Sequence, residues 1–265
     1  MDLNLKDKVI IVTGSAGKRG SIGQTIAFSL ANEGAIPVLL DRNNRGVGYE
    51  EELKGNGADA LFVKTDLGRH EQIRAAIDQT LAKYGRIDGV VNNVGVNDSR
   101  GLDSSMEEFE ASLRLNLISF FATVKYALPA LKLSHGPILN IGSKVAFTGQ
   151  GGTSGYAASK GGVLGLTREW AVDLVDYKIR VNALIIAESY TPAYQEWIDT
   201  LQDGPEKLRS IREKIPLDNR MTTAEEVADT ALWLLSERSS HTTGQFVFVD
   251  GGYVHLDRAM LPKKE

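Results

Sequence analysis

The feature of the sequence that most constrains its fold is a regular alternation of short apolar runs with longer segments of helical periodicity. Seven runs of four to six residues are rich in Val, Ile, Leu and Phe: 9–12, 36–40, 60–63, 87–91, 138–141, 181–186 and 246–249. Most of them lack the two-residue alternation of a strand with one solvated face, so they predict strands that are buried on both faces. Such strands, joined through helices by right-handed crossovers, form a parallel sheet with helices on both sides. We therefore expect one doubly wound α/β domain over residues 1–265.

Two of the helical segments have ends that can be predicted. In the first, apolar side chains at positions 73, 77, 81 and 84 recur at helical spacing and stop at Gly85, a favourable C-terminal cap. The second pattern runs from Met106 to Lys132, and we expect Pro129 to bend it or end it.

The segment 187–222 breaks the alternation. It carries scattered Tyr, Trp, Pro, Asp and Lys residues and separates the run 181–186 from a helical pattern over 224–235. A long excursion after the C-terminal end of a strand often covers a ligand site, so we interpret 187–222 as a substrate lid within the domain. A surface insertion with no role in binding is the alternative.

Charge and composition limit the classes of partner. Thirty Lys and Arg residues stand against 34 Asp and Glu residues, a formal net charge of −4, whereas nucleic-acid binding needs a concentrated basic face. The chain has no Cys, which excludes disulfides, thiolate nucleophiles and Cys-ligated zinc and fits a reducing compartment. No metal site is predicted. The N-terminus lacks a signal-peptide pattern, and no apolar run approaches the roughly 20 residues of a membrane span. We expect a cytoplasmic protein with a small-molecule substrate and no nucleic-acid or membrane partner.

The first apolar run leads into a glycine-rich stretch at 13–23, Thr-Gly-Ser-Ala-Gly-Lys-Arg-Gly-Ser-Ile-Gly, and a helical pattern follows it. Glycines between a first strand and a helix let backbone N–H groups approach a pyrophosphate, so this turn predicts a dinucleotide site. Asp41 ends the second run, 18 residues past Gly23, where a carboxylate can accept hydrogen bonds from both hydroxyls of an adenosine ribose. Asp66 and the stretch 92–95 continue the same rim after the third and fourth runs.

Asp41 also bears on which nicotinamide cofactor binds. A 2′-phosphate about 4 Å from its carboxylate meets a repulsion of about 4 kcal/mol per unit charge at an effective dielectric constant of about 20. This repulsion favours NAD over NADP. Lys18, Arg19 and Arg42 lie near the expected ribose and can offset it, so NADP is the alternative.

Tyr156 and Lys160 stand four residues apart in a helical stretch, which places both side chains on one face. Ser143 follows the fifth apolar run, so all three residues are expected at the carboxyl edge of the sheet, where doubly wound folds bind ligands. Oxidation of an alcohol needs a base for the hydroxyl proton, and a phenolate serves if its pKa falls from about 10 toward neutral. That shift needs about 4 kcal/mol. A lysine ammonium about 5 Å away supplies roughly 3 kcal/mol of it. Ser143 can hydrogen-bond the substrate oxygen. Asn116 is polar among apolar residues, and a satisfied buried amide is the alternative to a role in the site.

Motifs along essentially the whole chain resemble, in order and spacing, the short-chain dehydrogenase/reductase family. They are Thr13-Gly14, Asp66, Asn92-Asn93-Val94-Gly95, Asn116, Ser143, Tyr156 with Lys160, and Thr243-Gly244-Gln245 before Asp250-Gly251-Gly252. The resemblance implies a Rossmann fold with seven parallel strands, an NAD(P)-dependent oxidoreductase and a homo-oligomer, commonly a tetramer. It implies a catalytic tetrad of Asn116, Ser143, Tyr156 and Lys160, in which Asn116 holds a water of the proton relay and Lys160 also binds the nicotinamide ribose. The cofactor residues that it implies are Gly14, Ser21, Ile22, Gly23, Asp41, Arg42, Asp66, Leu67, Asn93, Gly95, Tyr156, Lys160, Ala187 and Thr191.

Three features depart from the family pattern. The glycine stretch is longer than usual, with Ser21 before Ile22, and it is somewhat similar to the loop of enoyl-acyl-carrier reductases, which space their Tyr and Lys more widely than here. Val94 replaces the usual Ala. Ile186 and Ala187 replace the usual Pro-Gly beside the nicotinamide carboxamide, so the cofactor contacts at Ala187 need a test in the structure.

The expected substrate pocket is framed by residues after the fourth, fifth and sixth runs. They are Asn97, Ser143, Lys144, Gln150, Tyr156, Glu188 and Trp197, and their polar and aromatic groups suit a polyhydroxylated ligand better than a steroid or a fatty acyl chain. The stretches 97–99, 148–151, 187–188, 239–245 and 255–258 further resemble bacterial L-fucose dehydrogenases. That resemblance implies oxidation of the anomeric hydroxyl of L-fucose or a related aldose to a lactone. A carbonyl or 3-oxoacyl reductase and a non-catalytic nucleotide-binding protein are the alternatives, and the intact tetrad argues against the second.

Overall fold

The computed structural model describes residues 2–257; Arg258, the end of the stretch that resembles bacterial L-fucose dehydrogenases, lies outside them. Seven strands form one parallel sheet: Val9–Thr13 (β1), Ile36–Asp41 (β2), Leu61–Lys64 (β3), Gly89–Asn92 (β4), Ile138–Ser143 (β5), Val181–Ile186 (β6) and Phe246–Val249 (β7). Each predicted apolar run overlaps one strand, so the predicted doubly wound α/β fold is confirmed. The strand order is β3-β2-β1-β4-β5-β6-β7. The direction of winding therefore reverses between β1 and β4, which opens a crevice at the carboxyl ends of these strands.

Nine α-helices within residues 2–257 complete the fold. They are Ile22–Asn32 (α1), Arg45–Gly55 (α2), His70–Tyr84 (α3), Met106–Leu113 (α4), Ser119–Ser134 (α5), Ser154–Asp173 (α6), Pro192–Asp199 (α7), Gly204–Arg212 (α8) and Ala224–Leu235 (α9).

The core consists of two apolar layers, one on each face of the sheet. In one layer, α1 and α9 contribute Ile26 and Val227, which are fully buried. In the other, α5 and α6 contribute Phe120 and Val163, also fully buried. Neighbouring strand residues belong to opposite layers, and this is why the strands read as unbroken apolar runs.

The two predicted helix ends have different outcomes. Gly85 caps α3 with a φ of +68°, and its N–H donates to the carbonyl of Leu81 at 2.8 Å, so the predicted cap is confirmed. The sequence predicts that Pro129 bends the helix or ends it. Pro129 lies inside α5, which continues to Ser134, so the predicted end is wrong and the bend stays a prediction. Proline removes a single N–H donor, and Ala127 and Leu131, fully buried on either side of it, keep the helix docked on the core.

The predicted helix 106–132 is present as a continuous helical path from Met106 to Ser134, although it is not a single α-helix. A π-helical turn, Arg114–Ile118, joins α4 to α5, and such turns are frequent at functional sites. Within residues 2–257 this path is the one stretch long and apolar enough to cross a membrane by length and composition, a property that the sequence analysis did not expect. The core helix of a globular protein meets the same criterion, and Phe120 and Leu131 of this path are fully buried in the core.

The segment 187–222 contains α7 and α8 and is closed at its base. Ser189 and Thr222 form a parallel bridge, in which Tyr190 donates to the carbonyl of Thr222 and Thr222 donates to the carbonyl of Glu188, both at 3.0 Å. The segment therefore leaves and rejoins the domain at one point beside the end of β6, where a lid over the crevice is expected.

Candidate active site

A cavity of about 370 Å³ opens at the carboxyl ends of the strands, on the crevice side of the sheet. Every predicted cofactor residue except Ala187 lines it, and Ile186, the neighbour of Ala187, does so as well. The wall also includes residues outside the predicted set: Gly17, Thr65, Val94, Val96, Leu115, Ile141, Gly142 and Ile186. These contribute mainly main chain or apolar surface, so the only sequence signal for most of them is their place near a strand end.

The glycine loop after β1 is packed too closely for side chains. A Cβ on Gly14, whose φ is +66°, would lie 2.8 Å from the Cα of Val94. A Cβ on Gly23 would lie 2.3 Å from Nδ2 of Asn93 and 2.4 Å from the carbonyl oxygen of Gly14. Asn93 fastens this arrangement, because its Nδ2 donates to the carbonyls of Thr13 and Gly14 at 2.9 and 3.0 Å. Bare main chain therefore faces the cavity, which is what close approach of a pyrophosphate requires.

Ser21 adds a donor to this cradle. Its hydroxyl is buried, lies beside the cavity and has no hydrogen-bond partner within residues 2–257. An unsatisfied buried hydroxyl is costly in a folded protein unless a ligand or water completes it. The glycine cradle and this hydroxyl together fit a dinucleotide phosphate.

At the end of the cavity next to β2, Asp41 is held by main-chain donors. One carboxylate oxygen accepts from the N–H of Ala16 at 2.8 Å and the other from the N–H of Asn43 at 2.9 Å. Of the three cations expected near the ribose, Lys18 pairs with Glu196 and Arg19 pairs with Glu52. Arg42 lines the cavity.

Tyr156 and Lys160 lie one turn apart on α6, with the Lys160 ammonium 5.6 Å from the centre of the tyrosine ring. Lys160 is 2% exposed and donates to the carbonyl of Ile141 at 2.7 Å. Burial lowers the pKa of Lys160 to about 7. Burial raises the pKa of Tyr156, and its hydrogen bond with Ser143 offsets part of that rise. The protein alone thus does not lower the tyrosine pKa as expected, because desolvation of the phenolate opposes its ionisation.

Asn116 lies in the π-helical turn and is fully buried. Its Oδ1 accepts from the N–H of Val96 at 2.8 Å, while its Nδ2 donates to the carbonyl of Val96 at 3.1 Å and to Oγ of Ser112 at 3.3 Å. The side chain is a satisfied buried amide, and it also borders the site. A Cβ on Gly95 would lie 3.2 Å from Oδ1 of Asn116 and 3.4 Å from Nζ of Lys160. A side chain at position 95 would therefore crowd both polar groups.

The predicted substrate residues lie outside the wall of this cavity, except Tyr156. Lys144, directly after Ser143, pairs with Glu188, and each side chain is 13% exposed. The hydroxyl of Tyr194 on α7 donates to the second oxygen of Glu188 at 2.9 Å. The ammonium of Lys144 also lies 4.4 Å from the ring centre of Tyr253. The buried pair with its two tyrosines joins three chain segments: the residues after β5, the segment 187–222 and the residues after β7. The sequence analysis did not name either tyrosine.

The remaining predicted substrate residues are more open. Asn97 and Gln150 are exposed on loops after β4 and β5. Trp197 is 43% exposed and packs edge-on against Tyr194, with ring centres 5.2 Å apart. None of the three lines the cavity, and their roles as substrate residues stay predictions.

Comparison with known proteins identifies the family. The family model described as "Enoyl-(Acyl carrier protein) reductase", a model of short-chain dehydrogenases/reductases, matches residues 14–254. This chain belongs to the short-chain dehydrogenase/reductase family. As a member, it is an oxidoreductase that acts on alcohol or carbonyl groups with a nicotinamide dinucleotide.

Relatives within the family differ in substrate. The chain is 37% identical over 248 residues to the L-fucose dehydrogenase of Oryctolagus cuniculus, covering 92% of this chain and 84% of the relative. It is 34% identical to the 3-oxoacyl-acyl-carrier-protein reductase of Thermotoga maritima, covering 95% of this chain and all of the relative. Among solved structures, Cj0485 dehydrogenase is 42% identical with a TM-score of 0.94, over 99% of this chain and 100% of that one. Ligand-free aldohexose dehydrogenase of Thermoplasma acidophilum is 28% identical with a TM-score of 0.87, and the match covers 99% of this chain and 100% of that one.

Proposed function

We propose that this short-chain dehydrogenase/reductase oxidises a sugar, L-fucose or a related aldose, at the C1 hydroxyl to a lactone, with NAD as the cofactor. The observation that carries the proposal is the hydroxyl of Tyr156, hydrogen-bonded to Ser143 and one helical turn from the buried Lys160 at the cofactor cavity. The nicotinamide, when bound, accepts the hydride that leaves the carbon. The substrate oxygen gives up a proton in the same reaction, so the chain must supply a base.

The proposed division of roles follows from the geometry. Ser143 hydrogen-bonds the substrate oxygen, and Tyr156 removes its proton as general base. Lys160, whose pKa burial lowers to about 7, exchanges between ammonium and amine at neutral pH and can pass that proton on. In the proposed relay the proton leaves past Gly95, where Oδ1 of Asn116 and Nζ of Lys160 both border the position that a side chain would take.

The proposed cofactor orientation places adenosine at Asp41 and the nicotinamide at Tyr156. The predicted cofactor residues on the cavity wall hold the dinucleotide between these ends, with Gly14 and Ser21 at the phosphates. The preference for NAD over NADP is supported by Asp41 at the cavity edge and by the pairing of Lys18 and Arg19 with glutamates elsewhere. Arg42 is the cavity cation that a 2′-phosphate would use.

A hydroxylated substrate is supported by the polar surroundings of Ser143. Lys144 and Glu188 form an ion pair directly after Ser143 and β6. Asn97, Gln150 and Trp197 follow the ends of β4, β5 and β6 in the sequence, and together these charged, amide and indole groups suit hydroxyl groups better than an acyl chain. The relatives named L-fucose dehydrogenase and aldohexose dehydrogenase support the same class. The Thermotoga maritima relative favours one alternative, reduction of a 3-oxoacyl or other carbonyl substrate. A non-catalytic nucleotide-binding protein is disfavoured by the intact grouping of Ser143, Tyr156 and Lys160.

We further propose a cytoplasmic homotetramer. Large apolar side chains exposed on α5 and α6 support self-association: Phe121 is 47% exposed, Leu133 86% and Val172 73%. Light scattering of the purified protein measures the number of subunits, and a monomer refutes this part of the proposal.

The deciding experiment compares wild-type enzyme with Tyr156→Phe and with Tyr84→Phe as a control. Tyr84 lies at the end of α3, far from the site in sequence, and its hydroxyl bonds Asp59 at 3.2 Å. Tyr156→Phe should abolish turnover of the best substrate in a panel of sugars and ketones while NADH titration shows unchanged binding, and Tyr84→Phe should retain turnover. More than about a tenth of wild-type turnover in Tyr156→Phe removes Tyr156 as the base. If ketones or 3-oxoacyl thioesters are turned over faster than any sugar, the sugar proposal is refuted and the carbonyl reductase alternative takes its place.

A further inference from the structure

Three polar side chains form a hydrogen-bonded network that starts at Asn116 and ends in the loop after β4; it is called the Asp98 network below. Nδ2 of Asn116 donates to Oγ of Ser112 at 3.3 Å, and Oγ of Ser112 donates to Oδ1 of Asp98 at 3.1 Å. Ser112 lies one helical turn before Asn116, near the end of α4, and is 2% exposed. Asp98 is half-buried. The roles proposed above include Asn116 but neither Ser112 nor Asp98.

The Asp98 network has a fixed direction. A carboxylate only accepts hydrogen bonds, and a serine hydroxyl has a single hydrogen to donate. Because Ser112 gives that hydrogen to Asp98, the lone pairs of its oxygen are left for an N–H donor, and Nδ2 of Asn116 is that donor. An amide oxygen in the place of Nδ2 would set two acceptors against each other. Asp98, acting through Ser112, therefore holds the amide of Asn116 with its nitrogen toward Ser112.

This orientation decides which end of the amide faces the active site. A Cβ on Gly95 would lie 3.2 Å from Oδ1 of Asn116 and 3.4 Å from Nζ of Lys160, so the oxygen end and the lysine border the same place. An ammonium only donates hydrogen bonds, and an amide oxygen only accepts them. The reversed amide would present N–H donors on the side of Lys160. The orientation set by the Asp98 network is thus the one that complements a protonated Lys160.

The same network fastens the loop that carries Val96. The main chain of Val96 also holds the amide of Asn116: its N–H donates to Oδ1 at 2.8 Å, and its carbonyl accepts from Nδ2 at 3.1 Å. The side chain of Val96 is 46% exposed, so its own packing does little to fix this loop. Asp98 lies two residues further along and ties the loop to Ser112 on α4. Loss of that bond would therefore loosen the contacts of Val96 as well.

Ser112 also packs against the start of α6, next to Tyr156. A Cβ on Gly155 would lie 2.8 Å from both Cβ and Oγ of Ser112. The N–H of Gly155 donates to the carbonyl of Arg100, in the same loop as Asp98, at 3.0 Å. This close approach favours a small side chain at position 112, so Ser112→Ala removes the hydroxyl without crowding α6.

We propose that Ser112 and Asp98 are positioning residues, which hold the amide of Asn116 with its oxygen toward Lys160. The inference rests on the proposed function, in which the proton passes to Lys160 and leaves past Gly95. Neither Ser112 nor Asp98 lines the cofactor cavity, and both act through Asn116. Ser112 does so by a direct hydrogen bond, and Asp98 does so by fixing the direction of the Ser112 hydroxyl.

The test measures hydride transfer in a single turnover, followed by NADH absorbance with the best substrate from the panel of sugars and ketones. A single turnover reports the chemical step without product release. The variants are Asn116→Ala, Ser112→Ala, the double variant Ser112→Ala/Asn116→Ala, Asp98→Ala and Asp98→Asn. The control is Thr123→Val, which removes another fully buried hydroxyl of the same helical path, where Oγ1 donates to the carbonyl of Ser119 at 2.8 Å. NADH titration and thermal unfolding accompany each variant, and the two Asp98 variants decide the question if Ser112→Ala does not fold.

Ser112→Ala should slow hydride transfer by about three- to tenfold, the range that one hydrogen bond supports, and leave NADH affinity unchanged. Asp98→Ala should slow it as well, whereas Asp98→Asn should recover most of that loss, because its Oδ1 can accept the same bond. In the Asn116→Ala background, Ser112→Ala should add less than about twofold, since the group through which it acts is gone. Thr123→Val should keep the wild-type rate even where its Tm falls.

Three results overturn the positioning role. They are wild-type rates in both Ser112→Ala and Asp98→Ala, an equal loss on Ser112→Ala with and without Asn116, and a rate in Asp98→Asn as low as in Asp98→Ala. If any of them occurs while Asn116→Ala is slow, the relay of the proposed function stands and this inference alone fails. A wild-type rate in Asn116→Ala overturns the relay itself and the inference with it.

Discussion

The ion pair between Lys144 and Glu188 should contribute strongly to stability, because it joins the residue after Ser143 to the base of the segment 187–222. Each side chain is 13% exposed, and Tyr194 donates a further hydrogen bond to Glu188 at 2.9 Å. Glu188→Ala removes the carboxylate that faces the buried ammonium and leaves the tyrosine hydroxyl without its acceptor. We therefore expect Glu188→Ala to be among the more destabilising single substitutions near the site.

The magnitude follows from the burial of the pair. Breaking a fully buried ion pair costs about 3–5 kcal/mol, and the residual exposure of both side chains lowers the cost for this pair to about 2–3 kcal/mol. Loss of the Tyr194 hydrogen bond adds about 1 kcal/mol. A total of about 3–4 kcal/mol corresponds to a fall in Tm of about 6–16 °C for a chain of this size. The double variant Lys144→Met/Glu188→Ala removes both charges together, and it forms a double-mutant cycle with the wild type, Lys144→Met and Glu188→Ala. The double variant should recover at least about 1.5 kcal/mol of the summed single losses.

Urea unfolding of the four proteins of this cycle, at one protein concentration, measures the coupling free energy directly. The control is Glu206→Ala, which breaks the pair between Glu206 and Arg209, exposed at 64% and 65%. An exposed pair adds little to stability, so this variant should unfold like the wild type. The same Glu188→Ala enzyme should lose about ten- to a hundredfold in kcat/KM for the sugar, with little change in NAD affinity. A coupling free energy below about 0.5 kcal/mol, or a Tm loss no larger than that of Glu206→Ala, refutes the reasoning about burial.

Three further outcomes are expected. Because Asp41 lies at the cavity edge, kcat/KM should be at least tenfold higher with NAD than with NADP, and the reverse order would identify Arg42 as a phosphate ligand. Burial lowers the pKa of Lys160 from 10.5 to about 7. Between these two pH values the unfolded chain holds the proton of Lys160 and the folded chain does not, so the stability of the fold rises with pH. The destabilisation by the buried ammonium is therefore complete below about pH 7 and decreases as the pH rises above it. Ligand-free Lys160→Met should therefore gain more in Tm over wild type at pH 6 than at pH 9.5 in thermal scans, and a gain that grows with pH contradicts this. Gly23→Ala would place a Cβ 2.3 Å from Nδ2 of Asn93, so it should raise the Kd of NAD more than tenfold in a fluorescence titration. Gly48→Ala is the control, because a Cβ there meets nothing within 4 Å and should leave the Kd unchanged. Equal Kd values in the two variants refute the steric argument.

The strands and the pair Tyr156 and Lys160 were predictable because their signals are local. An apolar run reports burial on both faces, and a spacing of four residues reports a shared helical face. The pairing of Lys144 with Glu188 was not predictable, because 44 residues separate them and only the tertiary fold brings them together.

The direction of the pKa shifts also required the structure. A nearby ammonium predicted a lower pKa for Tyr156, but the buried surroundings raise it and lower that of Lys160 at the same time. The sequence shows which charged residues lie near a titratable side chain and so indicates their effect on its pKa. The effect of desolvation on that pKa depends on how tightly the side chain is packed, which only the structure shows. The prediction that the helix ends at Pro129 was wrong for a related reason. Burial of Ala127 and Leu131 stabilises the helix more than the missing N–H of the proline destabilises it.

The π-helical turn at 114–118 means that the chain holds one residue more than an uninterrupted α-helix would need between α4 and α5. Successive residues of an α-helix are rotated by about 100° about its axis. Deletion of Leu117 or Ile118 would therefore restore regular α-helical hydrogen bonds and rotate the preceding part of the helix, including α4, by about that angle relative to α5. Phe120 and Thr123, fully buried in α5, would stay in place, and Asn116 would leave Val96. The shorter helix would be the more regular one, but the contact between Asn116 and Val96 would be lost. The surplus residue therefore sets the rotation of the segment that carries Asn116 relative to the half of the helix that builds the core.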